Sequence, residues 1–569
     1  MQRNIEIGLI GICGLACMTI LLKNLSYPLM WQDESETALF ATRILDHGFP
    51  KVHGSRNVVY EFGSSATLGI DERTDAYIGT TWGHFYFAVP GVLAAAATDD
   101  LYAKTWRIRL PFALAGALGI GLTALAVTPV FRGRPARARR FVIYFLLLCC
   151  ASISLLLHLR EARYYSLLVL LFAAIGWVQL RYVVFETLSY RRYAIALAVL
   201  MVLLFNVFYS AFFIVGLLLG VEALWRELSA NTTRTRAGSD ASGTLIRRIA
   251  MSLAPLAAAG ICVVPLLVYF ETFSIAAEFS KHVGFTVAVY LSNWKNLVLH
   301  LLRHELLAVV VLCRVAVLSI DRIWVEPLDC WEKRSRRVVA QLVGFALGYS
   351  LLSCLNPLVY ERYFIVLSPL LTVVFVLDAM CVSARVKAHD RSRNGRFYTI
   401  AVATIVVLTA VTGVSRIQDL RGRLREITEP YRGPLDYVIP WIRAHYPHPE
   451  ELVIATNYEN HPYMYYLGSH TIVGLSRNNI RRDRLLEPDL VVPRRRWRSS
   501  LGDAMAFVRD HPGEYRSEVF EVRDLHYNNV PALSRSISTP DPHRFVTALA
   551  DRDDHRLEVY VRLDSETAR

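Results

Sequence analysis

A series of long apolar blocks occupies the chain before about residue 417 and limits the folds open to it. Blocks at 7–29, 110–130, 141–158, 249–270 and 397–415 approach or reach the roughly 20 apolar residues that cross a bilayer as a helix. A soluble protein would have to bury every block, which a chain of 569 residues cannot do. The sequence therefore predicts an α-helical polytopic membrane protein.

Short clusters of arginine and lysine separate the apolar blocks. They lie at 132–140, 191–192, 247–248, 333–337 and 385–396. Cytoplasmic loops of membrane proteins carry such an excess of basic residues. The net charge of +13 therefore reports the orientation of the chain in the membrane, and we expect no nucleic-acid partner.

Placing the basic loops in the cytoplasm predicts about eleven spans, with a long external loop at 30–106 after the first. The apolar stretch 84–97 in this loop is predicted to lie in the outer interface, because a crossing there would move the later basic loops outside. The predicted spans are 5–29, 107–130, 141–158, 163–181, 193–207, 208–225, 249–270, 296–317, 339–355, 363–382 and 397–417.

The odd number of spans divides the chain into a transmembrane catalytic domain at 1–417 and an extracytoplasmic domain at 418–569. Helix-like and strand-like segments alternate in the second part, which predicts a small α/β domain. The predicted helices are 435–445, 461–467, 501–509 and 543–551, and the predicted strands are 452–456, 471–474, 518–522 and 557–561.

Cofactor and metal motifs are absent from the sequence. Eight of the nine cysteines lie in apolar blocks, and their spacing predicts neither a disulfide framework nor a metal site. The chain also lacks a glycine-rich phosphate loop. This argues against a nucleotide-driven pump or a nucleotide-sugar enzyme. We therefore predict no cofactor, and the sequence leaves metal dependence open.

Charged residues gather at the predicted external ends of the spans. They are Asp33 and Glu34 after the first span, His84 in the external loop, the run from Arg160 to Tyr165, and the run from Tyr360 to Tyr363. Such carboxylates can simply mark the aqueous boundary, and external arginines can snorkel to lipid headgroups. The alternative is a reaction with a proton to remove and a phosphate to leave, because guanidinium groups bind phosphate oxygens in pairs.

The order of these motifs resembles the C-type-fold glycosyltransferases, the group that contains protein O-mannosyltransferases and lipid A aminoarabinose transferases. The resemblance covers most of residues 1–417. The matching segments are Asp33-Glu34 with Ala38–Ala41, Arg107–Pro111, Arg160–Tyr165, Glu361–Tyr363 with Pro369, and more loosely Val453–Glu459. Two departures stand out. Phe85-Tyr86 replaces a pair of prolines that members often carry, and Glu36 replaces a basic residue that some members carry.

The resemblance implies an inverting transfer of a sugar from a polyprenyl-phosphate donor to an acceptor outside the cytoplasm. Asp33 would be the general base and Glu34 would orient Asp33 or its loop. The donor phosphate would be held first by Arg163 and Arg362, and then by Arg160, His84 and Tyr164. The acceptor would be a glycolipid, a cell-envelope glycan or a protein hydroxyl, and membrane lipids would surround the protein.

Two other classes of function fit part of the pattern. A transporter or flippase of lipid-linked sugars would concentrate ionisable residues near the bilayer midplane, whereas here they lie at the outer surface. An envelope polysaccharide ligase or polymerase would use similar lipid-linked donors. The sequence gives no role to Asp71, Glu72 and Asp75 in the first external loop.

Overall fold

The computed structural model describes residues 2–59, 69–236, 242–284, 286–305, 307–323, 328–356, 359–390, 427–430, 432–473, 486–494, 501–524 and 556–563. These ranges are mostly helical, with a sheet in the C-terminal region. Six helical segments in them are long and apolar enough to cross a membrane. The predicted class, a multi-pass helical membrane protein, is confirmed. The number of eleven spans is not, and the predicted span 397–417 lies outside the described residues.

Among the described residues, fifteen α-helices precede the C-terminal region. They are α1 (Gln2–Leu22), α2 (Gln32–His47), α3 (Gly83–Ala95), α4 (Leu101–Val127), α5 (Pro135–Ala151), α6 (Ile153–Leu159), α7 (Tyr165–Val183), α8 (Tyr190–Val207), α9 (Tyr209–Arg236), α10 (Ser242–Tyr269), α11 (Thr272–Val283), α12 (Val287–His304), α13 (Leu307–Ile323), α14 (Cys330–Ser353) and α15 (Leu367–Asp390).

Two predicted spans are each divided between two helices. The segment 141–158 breaks at Ser152, between α5 and α6, and the segment 296–317 breaks near Glu305, between α12 and α13. Both breaks carry a polar side chain that bonds to Ser368 of α15, with Ser152 Oγ at 2.8 Å and Glu305 Oε2 at 3.1 Å from its Oγ. Average hydropathy does not register these interruptions.

Glycines bring the central helices close together. A Cβ at Gly116 of α4 would lie 2.8 Å from the Cβ of Leu159, and one at Gly119 would lie 2.9 Å from the backbone nitrogen of Leu170. Small residues allow helix backbones to approach in this way. The close packing of α4 against α6 and α7 fixes the position of the turn at 160–164, which carries several of the predicted site residues.

The C-terminal region is an α/β structure, as predicted. Its helices are α16 (Leu435–His445), α17 (Asn460–Leu467) and α18 (Leu501–Asp510). A hairpin of β1 (Ile70–Asp71) and β2 (Ala76–Tyr77) lies in the first loop, and the C-terminal strands are β3 (Val453–Thr456), β4 (His470–Val473), β5 (Leu490–Val492), β6 (Tyr515–Arg523) and β7 (Arg556–Arg562). Their order is β4-β3-β5-β7-β6, parallel across β4-β3-β5 and antiparallel across β5-β7-β6. The predicted helix 543–551 lies outside the described residues.

The C-terminal region docks on the segment between α1 and α2. The backbone N–H of Leu29 donates to Asp436 Oδ1 at 3.0 Å, and that of Met30 donates to the hydroxyl of Tyr466 at 3.1 Å. The same hydroxyl lies 2.6 Å from that of Thr105 on α4. These contacts bring the C-terminal region to the start of α2.

Candidate active site

The first two turns of α2 carry three carboxylates, those of Asp33, Glu34 and Glu36. Trp31 is extended and ends the preceding segment, and the helix begins at Gln32. Asp33 and Glu34 lie in the first turn, where the helix dipole stabilises negative charge. Helical spacing places Asp33, Glu36 and Thr37 on one face and turns Glu34 to another. The sequence Asp-Glu thus sends two neighbouring carboxylates into different surroundings.

Glu34 is fully buried and held by two elements. Arg109 of α4 donates to it twice, from Nε to Oε1 at 2.8 Å and from Nη2 to Oε2 at 2.6 Å. The backbone N–H of Ala162 also donates to Oε1 at 2.8 Å. Arg109 Nη1 completes the link by donating to the carbonyls of Leu25 and Pro28 at 3.0 and 2.8 Å. Glu34 therefore ties α2 to α4 and to the turn at 160–164.

Asp33 is more open, and its contacts with cations are longer. Its side chain is 25% exposed, and its Oδ2 lies 3.6 Å from Arg163 Nη2 and 3.9 Å from Arg362 Nη2. Arg163 is anchored beside it by a 3.0 Å hydrogen bond from Nη1 to the Asp33 carbonyl. One accessible carboxylate therefore faces two arginines from two different turns.

Glu36 shares Arg163 with Asp33. Arg163 Nη1 donates to Glu36 Oε2 at 3.1 Å and to the Thr37 hydroxyl at 3.3 Å. Burial raises the pKa of Glu36 to about 7. The charge of Asp33 adds to this rise, and Arg163 only partly offsets it. The residue that departs from the family pattern thus places an additional, titratable carboxylate on a candidate phosphate ligand.

Arg362 lies among aromatic rings. Its guanidinium carbon is 4.4 Å from the ring centre of Tyr360, 5.4 Å from that of Trp31 and 5.9 Å from that of Tyr363. Its Nε and Nη1 are buried and have no hydrogen-bond partner within the part of the chain that the structure describes. These N–H groups are available to an anion that enters beside Asp33.

His84 and Tyr164 are neighbours of Arg163. The rings of His84 and Tyr164 meet edge to face at 5.9 Å, and Arg163 lies 5.6 Å from the centre of the Tyr164 ring. Burial, together with the charge of Arg163, holds the pKa of His84 well below its usual value. Neither ring nitrogen has a partner among the described residues. His84 is therefore neutral, and it could contact a phosphate only by hydrogen bonding.

Arg160 contacts a different part of the chain from Arg163 and Arg362. Its Nη2 donates to the backbone carbonyl of Lys23, at the end of α1, at 2.5 Å. The structure thus brings Asp33, Arg163 and Arg362 together and places the guanidinium of Arg160 against the chain that leads into α2. Within the described ranges, no three His, Cys, Asp or Glu side chains are placed to hold a metal ion.

The C-terminal region adds residues that the sequence did not identify as part of the site. Gln32, directly before Asp33, donates from Nε2 to Asn460 Oδ1 at 2.7 Å and accepts from the backbone N–H of His461 at 3.2 Å. Asn460 and His461 follow the segment Val453–Glu459, which carried only a loose family resemblance. No local motif marks them as site residues, because their position depends on the docking of α17 against α2.

Comparison with known proteins identifies the fold. No family model and no curated protein matches the sequence. The structure is similar to that of ArnT from Cupriavidus metallidurans in the apo state, with a TM-score of 0.50 and 13% identity over 98% of each chain. ArnT bound to undecaprenyl phosphate gives a TM-score of 0.48 at 13% identity over 97% of each chain. The apo oligosaccharyltransferase from Archaeoglobus fulgidus gives 0.46 at 12% identity, over 82% of this chain and 64% of that one. The similarity to apo ArnT confirms the C-type glycosyltransferase fold that the sequence resemblance predicted.

Proposed function

We propose that this membrane protein, which has the fold of ArnT, is an inverting glycosyltransferase that uses a polyprenyl-phosphate sugar. The observation that carries the proposal is the arrangement around Asp33, in which a partly exposed carboxylate faces Arg163 and Arg362. Arg362 keeps two buried nitrogens without a partner in the described ranges. A base beside two cations matches a reaction that removes a proton and releases a phosphate.

The proposed reaction begins with an acceptor hydroxyl that donates its proton to Asp33. The hydroxyl oxygen attacks the anomeric carbon of the donor sugar, and the bond from that carbon to the phosphate oxygen breaks with its electron pair on the phosphate. A positioned general base typically accelerates such a step about 10²–10⁴-fold. Because Asp33 is 25% exposed, it can pass its proton to water after transfer.

The departing phosphate needs cations more than an acid, because a phosphate ester is a weak base. Arg163 and Arg362 are the proposed ligands, since guanidinium groups pair with phosphate oxygens and stabilise charge that develops in the transition state. Tyr164 and neutral His84 lie beside Arg163 and would add hydrogen bonds. Arg160 is the weakest candidate, because it already donates to the Lys23 carbonyl.

Glu34 has a positioning role in this proposal. Its contacts with Arg109 and the backbone of Ala162 join α2 to the turn that carries Arg163. This link sets the separation between the proposed base and the proposed phosphate ligand. Pre-organised charges of this kind are effective because they need little rearrangement during the reaction.

The test is a transfer assay with purified protein in vesicles. The donors are polyprenyl phosphates that carry single labelled sugars, and the acceptor is an envelope lipid and glycan extract. We expect label in the acceptor with inverted anomeric configuration, together with release of polyprenyl phosphate. Movement of labelled donor across the vesicle without any product would favour a flippase. A parallel assay uses a polyprenyl-linked polymer as donor, and transfer from this donor only would favour a ligase or polymerase.

The proposed reaction takes place on the extracytoplasmic side, and this placement has its own test. The basic loops predict that a reporter fused to the C-terminus is active only outside the cytoplasm. A reporter inserted between α9 and α10 should be active only inside. A C-terminal reporter that is active in the cytoplasm would contradict the placement of both Asp33 and the C-terminal region.

A further inference from the structure

The first turn of α17 lies over the first turn of α2. The side chain of Gln32 bonds to both Asn460 and His461 of α17, at 2.7 and 3.2 Å. Because Asp33 follows Gln32 directly, these bonds bring the start of α17 to the proposed base. The pKa of His461 is lowered mainly by burial, and the charges of Asp33, Arg163 and Arg43 affect it more weakly. A residue from the C-terminal region therefore belongs to the surroundings of Asp33.

The imidazole of His461 has an unused nitrogen. The residue is 2% exposed, and its Nδ1 has no hydrogen-bond partner among the residues that the structure describes. Buried polar atoms in folded proteins are nearly always bonded, so an exception calls for an explanation. Here the side chain of Gln32 donates to that of Asn460, whereas Nδ1 of His461 has no partner among the described residues.

A buried ion cluster fixes the start of α17. Glu459, immediately before the helix, has a φ of +61°, in the left-handed region that non-glycine residues rarely adopt. Its carboxylate pairs with Arg494, which also donates from Nε to Asp524 Oδ1 at 2.7 Å. A backbone conformation of this kind persists only where its surroundings hold it. The direction of His461 is thus set by the C-terminal fold.

We propose that His461 positions the acceptor by hydrogen bonding, through Nδ1, to an acceptor hydroxyl beside Asp33. The C-terminal region then supplies one wall of the acceptor site. This inference rests on the proposed function and extends it, because it assigns acceptor recognition to a part of the chain separate from the phosphate ligands.

Two observations favour the acceptor hydroxyl over the donor phosphate as the ligand of His461. In an inverting displacement, the attacking hydroxyl and the leaving phosphate lie on opposite faces of the sugar. Arg163 and Arg362 come from turns between the membrane-region helices, whereas His461 comes from the C-terminal region. Burial lowers the pKa of His461 to about 4, so the ring is neutral near pH 7. A neutral imidazole suits a hydroxyl, which can both donate and accept.

The test compares His461→Phe and His461→Gln with the unmodified protein. The assays use the labelled polyprenyl-phosphate sugar that the unmodified protein turns over, first with water alone and then with increasing envelope extract. We expect His461→Phe to raise the extract concentration for half-maximal transfer about tenfold or more. Donor hydrolysis and donor KM should change less than about twofold, because neither involves the acceptor. His461→Gln should recover most of the loss, since the amide restores a hydrogen-bonding group.

Controls separate the possible failures. His445→Gln changes an exposed histidine of α16 whose hydrogen bond within the described residues is local, to the Trp441 carbonyl, and it should leave all the constants unchanged. Retained donor hydrolysis shows that the His461 variants are folded. In His461→Phe, a rise in donor KM as large as the rise in the extract concentration for half-maximal transfer would overturn the proposed role of His461. An unchanged dependence on the acceptor would do the same. Either result would leave the proposed function intact. If the unmodified protein shows neither donor hydrolysis nor transfer, the proposed function is overturned, and this inference with it.

Discussion

Asp33 and Glu34 are neighbours in the sequence, yet they differ in burial and in the length of their contacts with arginines. Glu34 is fully buried and bonds to Arg109 at 2.6 and 2.8 Å. The side chain of Asp33 is 25% exposed, and its carboxylate lies 3.6 Å from Arg163 and 3.9 Å from Arg362. The first pair is a closed structural link. The second is an open arrangement that a substrate can enter.

The arginines on the two sides differ in the same way. All three nitrogens of Arg109 are used, on Glu34 and on the carbonyls of Leu25 and Pro28. Arg362 leaves Nε and Nη1 without a partner in the described ranges and is covered by aromatic rings instead. Residue type alone does not separate a structural ion pair from a reactive one. The separating features are contact distance, exposure and the number of nitrogens still available.

The substitution Asp33→Asn is the strongest test of the contrast between Asp33 and Glu34. The substitution keeps the size of the side chain and removes the proton acceptor, so transfer should fall by about 10²-fold or more. The free energy of unfolding in detergent should change little, because the contacts of the Asp33 carboxylate with Arg163 and Arg362 are long, at 3.6 and 3.9 Å, and the substitution leaves the backbone carbonyl unchanged. Both are measured on the same monodisperse preparation. A variant with unaltered turnover would exclude Asp33 as the base.

Glu34→Gln should have the opposite effect and act mainly on stability. The amide leaves Arg109 buried with an incomplete partner, and breaking a buried pair in this way costs about 3–5 kcal/mol. The measurement is the free energy of unfolding in detergent. The double variant Glu34→Gln with Arg109→Gln is the matched control and should recover part of the loss. A stable but inactive Glu34→Gln protein would show that Glu34 takes part in the reaction itself.

The roles of the two arginines beside Asp33 are tested by replacing them one at a time. Arg163→Gln and Arg362→Gln should each weaken binding of polyprenyl phosphate, because loss of one desolvated charge partner costs about 2–5 kcal/mol. Lysine should restore binding only in part, since it lacks the planar fork. Arg160→Gln is the comparison variant and should have a smaller effect. Equal binding by all three variants would return these arginines to the role of lipid-headgroup anchors.

The smallest expected effect is the pH dependence that Glu36 imposes. Ionised Glu36 occupies Arg163, whereas protonated Glu36 releases it. Its pKa is about 7, so the affinity for polyprenyl phosphate should rise as pH falls through this value. One proton can change the affinity by at most about tenfold per pH unit.

Glu36→Gln should abolish this dependence. The titration of the phosphate itself, with a second pKa of about 6, is common to both proteins and is therefore removed by the comparison. The measurement is the dissociation constant at several values between about pH 6 and pH 8. Parallel curves for the two proteins would show that Glu36 does not compete for Arg163.

Much of the architecture was predictable because it depends on local pattern. Apolar blocks and basic loops identify a membrane protein without reference to any distant residue. In the C-terminal region, alternating segments identify elements such as the helix Leu435–His445 and the strand Val453–Thr456. The motif order predicted Asp33, Arg163 and Arg362 as site residues, and the structure brings these three side chains together.

The contacts of these residues depend on the tertiary structure. Glu34 is separated from Arg109 by 75 positions, and Gln32 is separated from Asn460 by 428. Contacts across such distances depend on how helices pack, and no local spacing encodes them. The same holds for the interruptions at Ser152 and Glu305, whose polar partner lies on α15. Local pattern was enough to predict a polytopic membrane protein with paired carboxylates and arginines, because hydropathy, charge and short motifs are local properties. The packing of distant elements decided that Glu34 is buried against Arg109, that Asp33 is partly exposed, and that His461 contacts Gln32, the residue before Asp33.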